Sequence, residues 1–372
     1  VKFESQKSVL LEALQIAQNA VPNKTTLQVL NNFLLKLTGN QLEITATDLD
    51  LTIIHSVEVQ GSQDGSVVVN AKKFVEVVRE LADLPVFFSV EDYVVHLRSE
   101  TGFHCNLVGF DASEYPSMPE ETEKHHFSMS VQDLKFLYEK SSFAVSTDVT
   151  TRISLTGVYW ECRNGQLLMV GTDGHRLGKA QTNVEAPEMS PGVLLPPRAL
   201  AQVMKFSDNV EAGFQVSISD ANVRFQSENV TIYSKQIEGP YPDYEKVIPQ
   251  DLSRTVQVPK EELISVLRRV STMAHSKTRQ VKFTFHKDSL VLSAKNQDLG
   301  GDSEESLLIS YNDEETHVGF NAGYVLEVLK LIDTEMVQIK LNSNLGATVF
   351  EPVGSDSSYF FIVMPLRLLD EE

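Results

Sequence analysis

A strand-to-helix stretch that occurs three times constrains this chain more than any other feature. Phe3 is followed at seven and seventeen residues by Leu10 and Ala20. Phe127 is followed at the same offsets by Leu134 and Ala144, and Val256 by Leu263 and Met273. Each copy opens on an alternating strand pattern and passes into an amphipathic helix, with Leu10, Ala13, Leu14 and Ala17 on one face in the first copy. The copies start 124 and 129 residues apart, so the repeated unit is a whole domain and not a solenoid element.

A second motif keeps the same frame. The stretch Val69 to Leu81 reappears from Leu195 to Phe206 and again from Phe320 to Ile332. Each has an apolar strand end, a small residue or proline where a helix would start, and then helical spacing. Pro196 and Pro197 suit a first turn, where a missing N–H costs nothing. Helices are therefore predicted over 5–21, 72–81, 131–143, 197–206, 260–273 and 323–332. Alternating strands follow each second helix, and Tyr115-Pro116 in the first third matches Tyr241-Pro242 in the second. Gly39-Asn40 and Asn164-Gly165 read as hairpin turns. Phe110 to Lys124 and Tyr241 to Asp251 read as linkers, and the acidic, glycine-bearing stretch Gln297 to Ser306 as a loop. The expectation is α+β: three tandem domains over 1–122, 123–251 and 252–372, each with two helices and many strands.

Composition narrows the function classes. No apolar run reaches the length of a membrane span. The charged N-terminus, Val1 to Lys7, has no signal-like apolar segment. Cys105 and Cys162 are the only cysteines, which argues against a disulfide framework and for a reducing cytoplasm. The net charge of −19 opposes simple nucleic-acid binding, yet its distribution does not. The six predicted helices carry twelve Lys/Arg and eight Asp/Glu, a net of +4; the remainder carries twenty and forty-three, a net of −23. A surface built from the helices would attract phosphate. The alternative is that exposed helix faces simply favour lysine and arginine.

The densest polar motif is Thr172-Asp173-Gly174-His175-Arg176-Leu177. As chemistry, Asp173 and His175 would be a metal-ligand or acid/base pair. Two ligands are too few for a metal site, and His125 and His126, adjacent on a strand, point opposite ways. No phosphate-binding loop, dinucleotide fingerprint or nucleophile elbow is present. Asp48 holds the matching place in the first third, which favours a structural turn shared by the repeats. At the far end Phe360 to Leu369 is strongly apolar, but Pro365 stops regular pairing. Met364, Leu366 and Leu368 are then left near the surface for a partner, or complete a core as an ordinary last strand.

Three repeats, TRISLTG at 151–157, TDGHRL at 172–177, GPYPDYEKVIP at 239–249 and VMPLRL at 363–368 together resemble the bacterial sliding clamps, the beta subunit of DNA polymerase III. The resemblance runs in order along the whole chain. It implies three clamp domains, each with two helices packed on antiparallel sheets, in a head-to-tail homodimeric ring. Such a ring encircles double-stranded DNA without reading sequence, helices inward, and performs no chemistry itself. It implies no metal, no cofactor and no membrane partner. It also implies that the polymerase III catalytic subunit, the clamp loader, other polymerases and mismatch-repair proteins dock short linear motifs between the second and third domains.

The positions matching that pocket are Leu155, Thr172, Gly174, His175, Arg176, Leu177, Pro242, Val247, Ile362, Val363, Met364, Pro365, Leu366 and Arg367. An apolar cleft rimmed by His175, Arg176 and Arg367 suits a peptide with leucine or phenylalanine anchors and one acidic residue. Lys246 stands where the family often has arginine, so a bidentate contact is not expected there. For DNA the resemblance points to Lys24 and Lys72, and helix position adds Lys73, Arg79, Arg198 and Lys205. The loop Thr147 to Thr151 lacks large polar groups for such contacts. For the dimer contact the resemblance suggests Cys105 and Leu107 on a strand, against Thr272 and Met273 at a helix end.

Overall fold

In a computed structural model of the chain, residues 1–118, 124–150, 152–207, 213–296, 298, 300–354 and 358–368 are described. The 122/123 boundary, Thr151, Gln297, Ser355 to Ser357 and the acidic end Asp370 to Glu372 lie outside these residues.

Six α-helices form where the repeats place them: α1 (Lys7–Gln18), α2 (Ala71–Glu80), α3 (Val131–Ser141), α4 (Pro197–Ser207), α5 (Lys260–Val270) and α6 (Ala322–Lys330). Helix α1 buries Leu10, Ala13, Leu14 and Ala17, the apolar stripe read from the sequence. It starts later than predicted because Ser5 and Gln6 are still paired, to Val86 and Pro85, in the strand Lys2–Gln6. Asn70 caps α2 by accepting from the Lys73 N–H, and Asn321 caps α6 by accepting from the Gly323 N–H. Glu261 and Glu262 in the first turn of α5, and Arg268 and Arg269 in its last, complement the helix dipole.

The strands form sheets of thirteen, eight and four members. The first runs from the edge strand His125–Met129 through Phe214–Ile218, Asn222–Gln226 and Val230–Lys235 into the strands of the first third. The step between repeats is the antiparallel pairing of Val230–Ser234 with His55–Leu51. The second runs from Met189–Leu195 through Val158–Arg163, Gln166–Thr172 and Arg176–Asn183 into strands of the last third. Here the step is Arg176–Ala180 against Val363–Tyr359. The four-stranded sheet lies wholly in the last third.

The chain forms two compact units, and the middle repeat divides between them. One contains 1–134, 185–187 and 195–236; the other contains 135–184, 188–194 and 237–372. In the first, Phe3 stacks on Phe88 at 4.6 Å and Phe74 lies against the same ring. In the second, Phe320 lies edge-on to both Phe283 and Phe350.

One expectation needs correction. The stretch Gln297 to Ser306 is not all loop, since Gly301–Leu308 is a strand at the edge of the four-stranded sheet. Its acidic residues hid a period of two, in which Asp302, Glu304 and the neighbours between them alternate in exposure. In the first third, the strands Gln41–Thr47 and Leu51–Glu58 are hinged at Asp48.

Candidate functional site

The Asp48 hinge and the Asp173 motif are the same turn. Thr47 Oγ1 accepts from the Leu49 N–H at 3.0 Å and donates to the Leu51 carbonyl at 3.2 Å. Thr172 Oγ1 accepts from the Gly174 N–H at 3.1 Å and donates to the Arg176 carbonyl at 2.7 Å. Asp48 Oδ1 takes the Asp50 and Leu51 N–H groups; Asp173 Oδ1 takes those of His175 and Arg176. The residue between is left-handed in both, Leu49 at φ 78° and Gly174 at φ 88°. Even the linker tyrosines correspond, since the Tyr115 hydroxyl donates to the Thr45 carbonyl and that of Tyr241 to the Val170 carbonyl.

This geometry removes Asp173 from acid/base or metal work. One carboxylate oxygen is filled by two backbone donors, and the other accepts from Arg176 Nε at 3.1 Å. Among the described residues no group of three or more His, Cys, Asp or Glu side chains could hold a metal ion.

Beside the second turn lies an apolar cluster. It buries Leu168, Val170, Leu177, Tyr244, Val349 and Ile362, with Tyr241, Ile248, Ala347 and Met364 packed against it half-buried. Leu177 faces Ile362 across the strand pair. Leu155 is buried on the short 3-10 turn Ile153–Thr156. Pro242 and the exposed Val247 flank Tyr244. Val363 is fully buried and, by strand alternation, turns away from Ile362.

After Val363 the chain leaves the sheet, as Pro365 requires. The Met364 N–H donates to the His175 carbonyl at 2.8 Å, and Leu366 bridges to Gly319. The Arg367 carbonyl accepts from Gln280 Nε2, leaving its side chain exposed. Arg176 is largely committed. It pairs with Asp173 and Glu327, and its guanidinium sits 4.6 Å from the Tyr324 ring centre. His175 is exposed and lies nearly parallel to Tyr324 at 6.4 Å. Burial pushes the Tyr241 and Tyr244 phenols well above the usual range, so both stay neutral, apolar in body with a polar tip.

The cationic candidates fall into two groups. Lys72, Lys73 and Arg198 line one cavity of about 1220 Å³ with Gln15, Asn19 and Phe110. Lys24 is exposed on the loop after α1, and Arg79 is exposed in the last turn of α2. Arg198 is half committed, donating from Nη1 to Asp48 Oδ2 at 2.5 Å, and Lys205 Nζ reaches Asn19 Oδ1 at 3.3 Å. Cys105 and Leu107 lie on His104–Phe110, which pairs along its length with Val94–Ser99 but on its other side only at Gly109 and Phe110. Thr272 and Met273 form a 3-10 turn after α5, beside Gly301 at the start of the edge strand Gly301–Leu308.

Sequence profiles of the DNA polymerase III beta subunit match in chain order: its N-terminal domain over residues 1–119, its central domain over 128–243 and its C-terminal domain over 245–367. The chain belongs to this family. The beta sliding clamp of Vibrio cholerae is 30% identical over 370 residues, covering 99% of this chain and all of that one. That of Bacillus subtilis is 28% identical over 379 residues, with 99% and 100% covered. Among solved structures, the Caulobacter crescentus beta sliding clamp superposes with a TM-score of 0.93 at 29% identity, covering 99% of each chain. The Pseudomonas aeruginosa sliding clamp bound to griselimycin superposes at 0.91 and 26%, again with 99% of each covered.

As in the family, three tandem clamp domains carry six helices on antiparallel sheets. Sequence reasoning missed Tyr241 and Tyr244 in the apolar cluster and Tyr324 beside Arg176. Tyr241 was signalled by the repeated Tyr-Pro pair, whereas Tyr324 reads as an ordinary helical position until α6 meets the Arg176 turn.

Proposed function

We propose that the chain is a DNA sliding clamp, a non-catalytic processivity factor that encircles duplex DNA as a head-to-tail homodimer in the cytoplasm. The observation that carries this reading is the match of all three clamp domains, in order, over almost the whole chain. Lys24, Lys72, Lys73, Arg79, Arg198 and Lys205 contribute cationic helix and loop faces that meet phosphate without reading bases. The open strand edges at Cys105 and Leu107, and beside Thr272 and Met273, join copies in a closing heterologous contact. The cleft around Leu177, Ile362 and Met364, rimmed by His175, Arg176 and Arg367, docks linear motifs of the polymerase III catalytic subunit, the loader and repair proteins. Tethering raises the polymerase's effective concentration at the primer end. In this reading the three domains are 1–122, 123–251 and 252–372.

The test is to load the protein onto nicked circular DNA and then linearise the circle. Release on cutting, at unchanged salt, is the expected result; retention on linear DNA would mean ordinary surface affinity and overturn the reading. In a separate peptide titration His175→Ala should weaken binding, while rings of this variant, once loaded, should still be retained on the uncut circle.

The cationic faces give a separate expectation. Lys72→Gln with Lys73→Gln removes two phosphate contacts, so the slope of log K against log salt should fall in magnitude by about two. A Kd titration at several salt concentrations measures it. An unchanged slope would exclude these lysines from the DNA face.

A further inference from the structure

We propose that Arg163, outside the cleft, is a positioning residue for peptide binding; the inference rests on the cleft assignment above. Arg163 ends the strand Val158–Arg163. Its Nε donates to Glu161 Oε1 at 2.7 Å, and its Nη1 donates to Glu245 Oε1, also at 2.7 Å. Glu245 lies on the 3-10 turn Tyr244–Val247. One planar guanidinium thus ties the sheet to the turn that carries Tyr244 into the cleft floor and Val247 to its rim.

The two ends of this tether differ. The Glu161 side chain is wholly buried, while that of Glu245 is 55% exposed. Glu161 is a fixed anchor, held also by the Ser190 hydroxyl at 3.1 Å. A carboxylate buried this far keeps its partner in place, because separation would leave a charge without compensation. The exposed pair to Glu245 adds little to overall stability but selects one position for the turn. Neighbouring contacts hold the start of the segment: Tyr159 stacks on Tyr241 at 4.9 Å, and Tyr241 donates to the Val170 carbonyl. Between the Tyr241 anchor and the strand Arg254–Pro259, the Arg163–Glu245 bond is a direct ionic link from turn to sheet. Without it the turn samples more positions, and a peptide must fix it again on binding.

The assignment is tested on the full-length protein with a fluorescein-labelled synthetic peptide carrying leucine and phenylalanine anchors and one acidic residue. Glu245→Gln should weaken binding about threefold and Arg163→Met about tenfold. The double variant should be no weaker than Arg163→Met alone, because both cut the same tether. Arg163→Lys, which keeps one ionic contact, should recover part of the loss. Glu245→Gln alters only an exposed partner, so its melting temperature and dimer mass should be unchanged while its Kd rises. A merely structural role would not produce that split. Affinities of Glu245→Gln and Arg163→Met within twofold of the parent, with His175→Ala still weakened, would overturn the positioning role and leave the cleft standing. Failure of the unsubstituted protein to bind the peptide would overturn the cleft itself, and this assignment with it.

Discussion

Asp333→Ala destabilises the second compact unit by about 2 kcal/mol, whereas Lys140→Met costs less than half of that, because an orphaned charge is worse than an absent one. The Lys140 side chain is only 5% exposed. Its ammonium donates to the Leu331 carbonyl at 2.5 Å and to Asp333 Oδ1 at 2.8 Å, and lies 4.6 Å from the Tyr359 ring centre. The Tyr359 hydroxyl completes the group by donating to Asp333 Oδ2, and burial pushes that phenol up to about 12. Removing the carboxylate leaves a desolvated cation with one carbonyl and one ring. Replacing lysine by methionine keeps the stem's packing and removes the charge. Chemical denaturation of the two variants measures the difference, and equal losses would show that the carboxylate does not compensate the ammonium.

Gly319→Val should weaken peptide binding at least about tenfold while the sheets remain folded. A Cβ on Gly319 would lie 2.7 Å from the Leu366 carbonyl and 2.8 Å from Leu368 Cδ2. The valine therefore displaces the tail that places Met364, Pro365 and Arg367 along the proposed peptide cleft. Pro365 already prevents that tail from rejoining the sheet, so it has no other paired seat. Peptide titration beside far-ultraviolet circular dichroism reads both halves. Full affinity in the valine variant would mean that the tail's seat does not matter for docking.

Much of this architecture is legible in the amino-acid order because it rests on local periods. The apolar spacing of Leu10, Ala13, Leu14 and Ala17 finds a helix without any knowledge of what it packs on. The equivalence of Asp48 and Asp173 is also legible, and it decides that Asp173 belongs to a turn. Side-chain commitments across long separations are not. Arg198 reads as a free cation but bonds to Asp48, and Arg176 reads as a rim residue but is gripped by Glu327 and Tyr324. Each depends on a partner brought close by strand pairing between repeats. The strand Gly301–Leu308 was hidden for a different reason: as an edge it carries charge where an inner strand would be apolar.

That the middle repeat lends strands to two different sheets means the length of chain that repeats is not the length that packs as one compact unit. Excised alone, residues 123–251 would expose two raw seams, at Val230–Ser234 and at Arg176–Ala180, each a row of backbone donors and acceptors stripped of its neighbour. A lone middle domain should therefore self-associate. A copy that stood alone would need a second chain to cover those seams.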